Sequence, residues 1–148
     1  MMAVKSMTDL NGNTITVTPN GLIKVVKNLL QKLPQLPIFP IVEYVAPNIY
    51  AFDVSCLIGN PAWFLLYYMA NPFQTAKNRA IATKGQISGL FQSIDEFPYA
   101  STAQGGLGSK AQPVPAWENF VQGGFLGSFY FWGMYGIPGQ FIVVPVPS

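Results

Sequence analysis

The chain has 148 residues, half of them apolar, enough for one hydrophobic core and hardly for two, so a single domain with extensions is expected. Only 9% of the residues are charged, 8 Lys and Arg against 6 Asp and Glu, and a net charge of +2 makes no broad basic field for nucleic acid. The complete absence of histidine excludes Ser-His-Asp triads, His-metal nucleases and His-relay ribonucleases, and the lone Cys56 excludes both an internal disulfide and a thiolate zinc site.

In chain order, residues 1–11 carry no charged-then-apolar signal pattern. Thr14 to Thr18 alternates β-branched positions after an Asn-Gly-Asn turn and reads as a strand. Gly21 to Lys32 sets Leu22, Val25, Val26, Leu29 and Leu30 on one face of an amphipathic helix. Pro34, Pro37, Pro40 and Pro47 then rule out regular structure across much of Leu33 to Asn48, which reads as a linker or a wrapped, extended arm. Two segments follow: an N-terminal extension over 1–48 and a core domain over 49–148, starting near Ile49.

Within that domain a short helix is predicted over Ala51 to Ile58, stopped by Gly59 and Pro61, and the apolar run Trp63 to Met69 suits a buried central strand. Asn71-Pro72 is a helix start and Gly85 the matching stop, giving a helix over Pro72 to Lys84 that carries Lys77, Arg79 and Lys84. Ser101 to Gln112 is a loop by composition, Ala116 to Trp132 a helix despite three glycines, and Gln140 to Val146 a final strand. The fold class is therefore α+β: a small mixed β-sheet packed with helices, preceded by the amphipathic helix and Pro-rich arm. The uncharged stretches Val54 to Ala76 and Asn119 to Ser148 are both broken by Gly and Pro, so neither supplies the roughly 20 unbroken apolar residues of a bilayer span, and no stable membrane insertion is expected.

Acidic residues are so few that their placement informs. Asp95, Glu96 and Glu118 lie in two short polar islands within apolar sequence. Hard cations such as Mg²⁺ or Mn²⁺ take oxygen ligands, and two or three carboxylates suffice for phosphodiester chemistry. On a helix starting at Ala116, Glu118 and Gln122 share a face at i,i+4 with Asn119 beside them. The simpler explanation, that Glu118 is a favourable charge at a helix N-terminus, stays open on spacing alone. Lys77 reads equally well as a solvated helix surface. The cluster Phe125, Phe129, Tyr130, Phe131, Trp132 and Tyr135 reads as core or partner interface before it reads as a base-stacking platform.

Asp95-Glu96-Phe97-Pro98-Tyr99-Ala100, then Gly105-Gly106, then Val114-Pro115-Ala116-Trp117-Glu118-Asn119-Phe120-Val121-Gln122-Gly123-Gly124 resemble, in order and spacing, the signatures of the NucA/NucB family of bacterial deoxyribonucleases. Lys77-Asn78-Arg79 and Lys84-Gly85 stand where that family carries a basic helix and its Lys-Gly end, and the similarity runs from about Phe52 to Val146. The resemblance implies a small α+β domain that hydrolyses DNA with Mg²⁺ or Mn²⁺. It makes Asp95, Glu96, Glu118 and Asn119 the candidate catalytic residues, with Asp95 and Glu118 as metal ligands; Arg79, Lys84, Lys110 and Gln122 are the candidate substrate contacts. Members usually place Arg before the Asp-Glu pair, often an acid before Gly-Gly, and often a base further on; here those positions hold Ile94, Gln104 and Gln112. The leading expectation is a metal-dependent endodeoxyribonuclease, the toxin or effector module of a secreted or delivered bacterial protein, with DNA as substrate and a cognate immunity protein as a candidate partner. The alternatives are a non-catalytic relative serving as a protein-interaction module and, weaker, a membrane-active toxin. Glu118→Gln is expected to abolish cleavage and leave the fold intact.

Overall fold

The computed structural model describes residues 36–148, together with the backbone of a hairpin formed by β1 (Lys5–Thr8) and β2 (Thr14–Val17). The hairpin is antiparallel, with Thr8 opposite Thr14, so the strand expected from Thr14 is present; the expected Asn-Gly-Asn turn lies outside the described residues. The amphipathic helix expected over Gly21 to Lys32 lies outside the described residues.

The prolines do not keep regular structure out of the Pro-rich stretch: of its described residues, 38–42 form a strand and 47–48 open a helix, so it is not a linker. Ile38–Val42 forms β3, which runs parallel to the last strand, β7 (Gly139–Val146), with Ile38 opposite Ile142 and Val42 opposite Val146. Proline is compatible with a strand that has a partner on one side only, and β3 is an edge strand. Phe39 and Ile41 alternate into the core with exposed neighbours, so this stretch upstream of Ile49 belongs to the packed body.

Strand β4 (Leu65–Tyr68) pairs antiparallel with the other side of β7, giving the order β3-β7-β4. The central strand is therefore β7 and not the Trp63 to Met69 run. That run begins inside a 3-10 turn (Pro61–Phe64), and within β4 only Leu66 is fully buried while Tyr67 faces out. In β7, Phe141, Ile142 and Val143 are all inaccessible in succession, the mark of a strand covered on both faces.

Three helices surround this sheet and a second hairpin. Helix α1 (Pro47–Gly59) starts four residues before the position predicted, with proline at its first turn, and buries Ile49, Val54 and Leu57. Helix α2 (Pro72–Ala82) is capped by Asn71, whose Oδ1 accepts the amide of Gln74 at 3.0 Å, and it ends before Gly85, which has φ +77°. Helix α3 (Ala116–Ser128) runs into a π turn over Phe129–Gly133 that delivers Tyr130 to the core. The hairpin consists of β5 (Gln92–Phe97) and β6 (Lys110–Pro115), with Asp95 opposite Gln112 and Phe97 opposite Lys110. The predicted loop over Ser101 to Gln112 thus ends three residues early, because Lys110, Ala111 and Gln112 are held by ladder bonds to a strand whose polar sequence gives no alternating pattern.

Candidate active site

Successive residues of a strand point to opposite faces, and this splits the Asp95-Glu96 pair. Asp95 faces α1 and α3, where it meets the charges of Asp53 and Glu118. Glu96 faces α2 and takes the Arg79 Nε at 3.1 Å. The expected four-residue site therefore resolves into two polar centres on either side of the β5–β6 hairpin.

The inner centre is almost fully enclosed. Asp53, from α1, accepts hydrogen bonds on Oδ2 from Gln122 Nε2 at 3.0 Å and from the Tyr99 hydroxyl at 3.3 Å. Its Oδ1, and Oδ2 of Asp95, are buried with no hydrogen-bond partner within the protein. Unpartnered carboxylate oxygens in an enclosed site are costly, and such groups respond by holding a proton. Burial, with the Glu96 charge second, pushes the Asp95 carboxyl up to about 8, against the opposing hydrogen bond from the Glu96 backbone amide. Burial and then the neighbouring Asp95 charge hold Asp53 well above the usual carboxylate range, while Gln122 and Tyr99 pull the other way.

Glu118 sits in the first turn of α3, but its carboxylate is committed to a different helix. Oε2 accepts the backbone amides of Asn48 at 2.9 Å and Ile49 at 3.0 Å, and Oε1 accepts Asn48 Nδ2 at 2.7 Å. Helix α1 has Ala46 at its N-cap and no side-chain cap of its own, so Glu118 satisfies its orphan amides from across the core. The N-terminal-charge explanation holds in a form that spacing could not reveal: the charge serves a helix some 70 residues upstream.

Asn119 donates to Ser93 Oγ at 2.8 Å and to the Ile94 carbonyl at 3.2 Å, fastening α3 to β5. Asn78 plays the matching part for α2: it donates to the carbonyls of Ala100 and Thr102 and accepts from Gln74, tying the helix to the loop after β5. In that loop, a Cβ at Gly105 would overlap the Tyr99 carbonyl, and Gly106, at φ +84°, lies 2.8 Å from Asn78 Oδ1 by the same measure. The Gly-Gly pair is thus required by close packing. Gln104 accepts the amide of Tyr67 through Oε1 at 3.0 Å. Arg79 is held toward Glu96 with its side chain largely in solvent, and Lys84 and Lys110 are exposed.

Asp53 is the residue that sequence reasoning missed. It was covered only by a short predicted helix, and its signal was its rarity: one acid in an otherwise apolar helical run. Among the described residues no three acid or thiol side chains stand close enough to enclose a cation by themselves. The two open oxygens of Asp53 and Asp95 nevertheless fit a hard cation of the Mg²⁺ type, which is held by one or two carboxylates and fills its remaining positions with water and phosphate oxygens.

The family model of the deoxyribonuclease NucA/NucB matches residues 70–144, half of the chain, from the start of α2 through most of β7. The chain belongs to the NucA/NucB deoxyribonuclease family, and with the family comes nuclease activity on DNA as its function class. A search of curated proteins gave no match. Asp95, Glu96, Glu118, Asn119 and Gln122 all lie inside the matched stretch, whereas Asp53 and the amides capped by Glu118 lie upstream of it.

Proposed function

We propose that the protein is a divalent-metal-dependent endodeoxyribonuclease whose working carboxylates are Asp95 and Asp53. The observation that carries this reading is the pair of buried, unpartnered oxygens, Asp53 Oδ1 and Asp95 Oδ2, on two acids held protonated above all by burial, with the Asp95 charge adding to the upward shift of Asp53. Such a pair is unstable as two bare anions and is relieved either by a proton or by a cation. When bound, Mg²⁺ or Mn²⁺ would neutralise charge on the phosphate and supply a hydroxide at neutral pH, in a chain without histidine.

The protein's own groups have separable tasks on this reading. Gln122 and Tyr99 hold Oδ2 of Asp53 and so fix where its free Oδ1 points. Glu118 adds negative charge beside Asp95 while anchoring the start of α1, which is a positioning role; its part as a direct ligand, expected from the resemblance, would require giving up three hydrogen bonds. Asn119 holds β5 against α3, and Arg79, Lys84 and Lys110 are exposed cations available to backbone phosphates. Plasmid nicking with added Mg²⁺ or Mn²⁺, with and without EDTA, tests the reading: activity lost in EDTA and in both Asp95→Asn and Asp53→Asn supports it, and nicking that persists in EDTA overturns it.

The proposal extends to a toxin or effector role. It predicts that expression of the wild type inside a bacterial cell, and not of Asp95→Asn, nicks the chromosome and arrests growth. One observation favours a second reading as an interaction module: Phe120, Phe131, Trp132 and Tyr135 are all largely exposed. A folded wild type that never nicks DNA under any divalent metal would favour that reading. Among the described residues no helix is long and apolar enough to cross a membrane.

A further inference from the structure

Between the second half of α1 and strand β6 lies a cavity of about 570 Å³, within the roughly 300–1,000 Å³ of small-ligand sites. Its lining is mixed in a particular way. Lys110 supplies one cation, Ser55, Asn60 and Gln112 supply hydrogen-bonding groups, and Phe52 and Trp63 supply aromatic surface. No carboxylate among the described residues lines it. Trp63 packs edge-on against Phe97 at 6.1 Å and is half-buried, so the core fixes the ring while part of it remains open to the cavity.

The cavity is placed beside the acids and does not contain them. Lys110 and Gln112 stand two apart on β6 and share one face of the hairpin, and their ladder partners are Phe97 and Asp95. On the opposite wall, Phe52 and Ser55 flank the Asp53 turn of α1. A ligand in the cavity is thus one side-chain layer away from Asp53 and Asp95.

We propose that this cavity is a nucleotide subsite that receives one unstacked nucleotide of a single DNA strand, with the base against Trp63, the amides of Asn60 and Gln112 at its polar edge, and Lys110 on a phosphate. Every base has a face that can stack, so an aromatic wall with one cation and few amides suits strand binding with little sequence preference. A paired base cannot enter, so the subsite selects a frayed, nicked or single-stranded region. This deepens the nuclease reading, on which it rests for the identity of its ligand, and it accounts for binding by a chain with so few cations.

The test separates the two. A fluorescein-labelled thymidine hexanucleotide is titrated by anisotropy in EDTA, so that no cleavage occurs, against wild type, Trp63→Ala, Lys110→Gln, the cavity-filling Ser55→Trp at an exposed helix position, and Lys77→Gln on α2, with thermal melts alongside. The expected result is binding by wild type and Lys77→Gln, loss in Ser55→Trp, weakening of roughly tenfold in Trp63→Ala, and a salt slope reduced by about 0.7 in Lys110→Gln. Failure of the folded wild type to bind, or equal binding by folded Ser55→Trp, overturns the subsite. If Ser55→Trp binds normally and wild type still nicks plasmid with Mn²⁺, the subsite falls and the nuclease reading stands. If binding follows the cavity variants but no metal supports nicking, the subsite stands and the nuclease reading falls.

Discussion

The two faces of the β5–β6 hairpin carry the same kinds of charged group in opposite circumstances. On the inner face, Asp53, Asp95 and Glu118 are withdrawn from water, and each oxygen is either tightly committed or without a partner. On the outer face, Glu96 is buried almost as deeply as Asp95 but meets Arg79, whose side chain is 63% exposed. Neighbouring residues of one strand thus enter different energetic regimes: Glu96 has a counter-charge whose exposed end is screened by solvent, which leaves the pair at about 0.2–1 kcal/mol, whereas Asp95 is buried without one and carries the full cost of desolvation. Substitutions on the two sides should separate by both size and sign.

The largest expected effect is at Glu118. Glu118→Ala leaves two first-turn amides of α1 and the Asn48 side chain without their acceptor; the Ile49 amide is the buried one, at a cost of about 1–3 kcal/mol, while Asn48 is exposed and can turn to water, so the loss should be about 1–3 kcal/mol. Thermal melts should show it at roughly 2–4 °C per kcal/mol, and an unchanged melting temperature would dismiss the capping role. Glu118→Gln should destabilise to a smaller degree, because it keeps one acceptor oxygen. Fold and cleavage therefore fail together here, and Glu118 alone is a poor discriminator of chemistry.

Next come the acids with open oxygens. Asp95→Asn should lower metal-dependent nicking by about a hundredfold or more, the scale of a lost charge-stabilising contact, with the fold retained. The same variant has an opposite signature in stability. An unfolded Asp loses its proton near pH 3.9, while folded Asp95 keeps its proton to about 8. Between these values the native state binds more protons than the unfolded one, so wild-type stability falls as pH rises from about 4 to about 8 and levels off above that. Asp95→Asn removes its part of that slope. Urea denaturation of both proteins across the pH range checks this, and an unchanged slope on substitution, with the two stability curves running parallel, would contradict the buried-acid description.

Smaller effects belong to the outer face. Arg79→Gln should change stability by no more than about 1 kcal/mol; if Arg79 also contacts a phosphate, the salt slope of duplex binding should drop by about 0.9. The smallest signal is at Cys56, whose thiol is buried and pushed up to about 12 by burial and by the Asp53 charge. Cys56 also lines the cavity, so its resistance to a thiol-reactive dye at pH 8 should come from a thiol kept protonated; rapid labelling of the native protein would show that burial does not hold it so.

The sequence by itself determined the punctuated elements and the chemistry that is unavailable. Asn71-Pro72 and Gly85 bound α2 because a cap, a proline and a left-handed glycine act within a few residues. The run of α3 and the last strand were legible for the same local reason, and the ordered motifs from Asp95 to Gly124 carried the family. Only the tertiary structure decided the rest. Proline content predicts extension equally for a linker and for an edge strand, and it took the parallel partner β7 to make Ile38–Val42 part of the sheet. Nothing local marks Gln92–Phe97 as a strand, since its polar residues are satisfied by partners on α2 and α3. Spacing placed Glu118 and Gln122 on one face, yet which groups they meet, the α1 amides and Asp53, depends on 69- and 70-residue separations that no periodicity encodes. Local steric rules fix where elements begin and end; the partner of a buried charge is fixed by which elements pack around it.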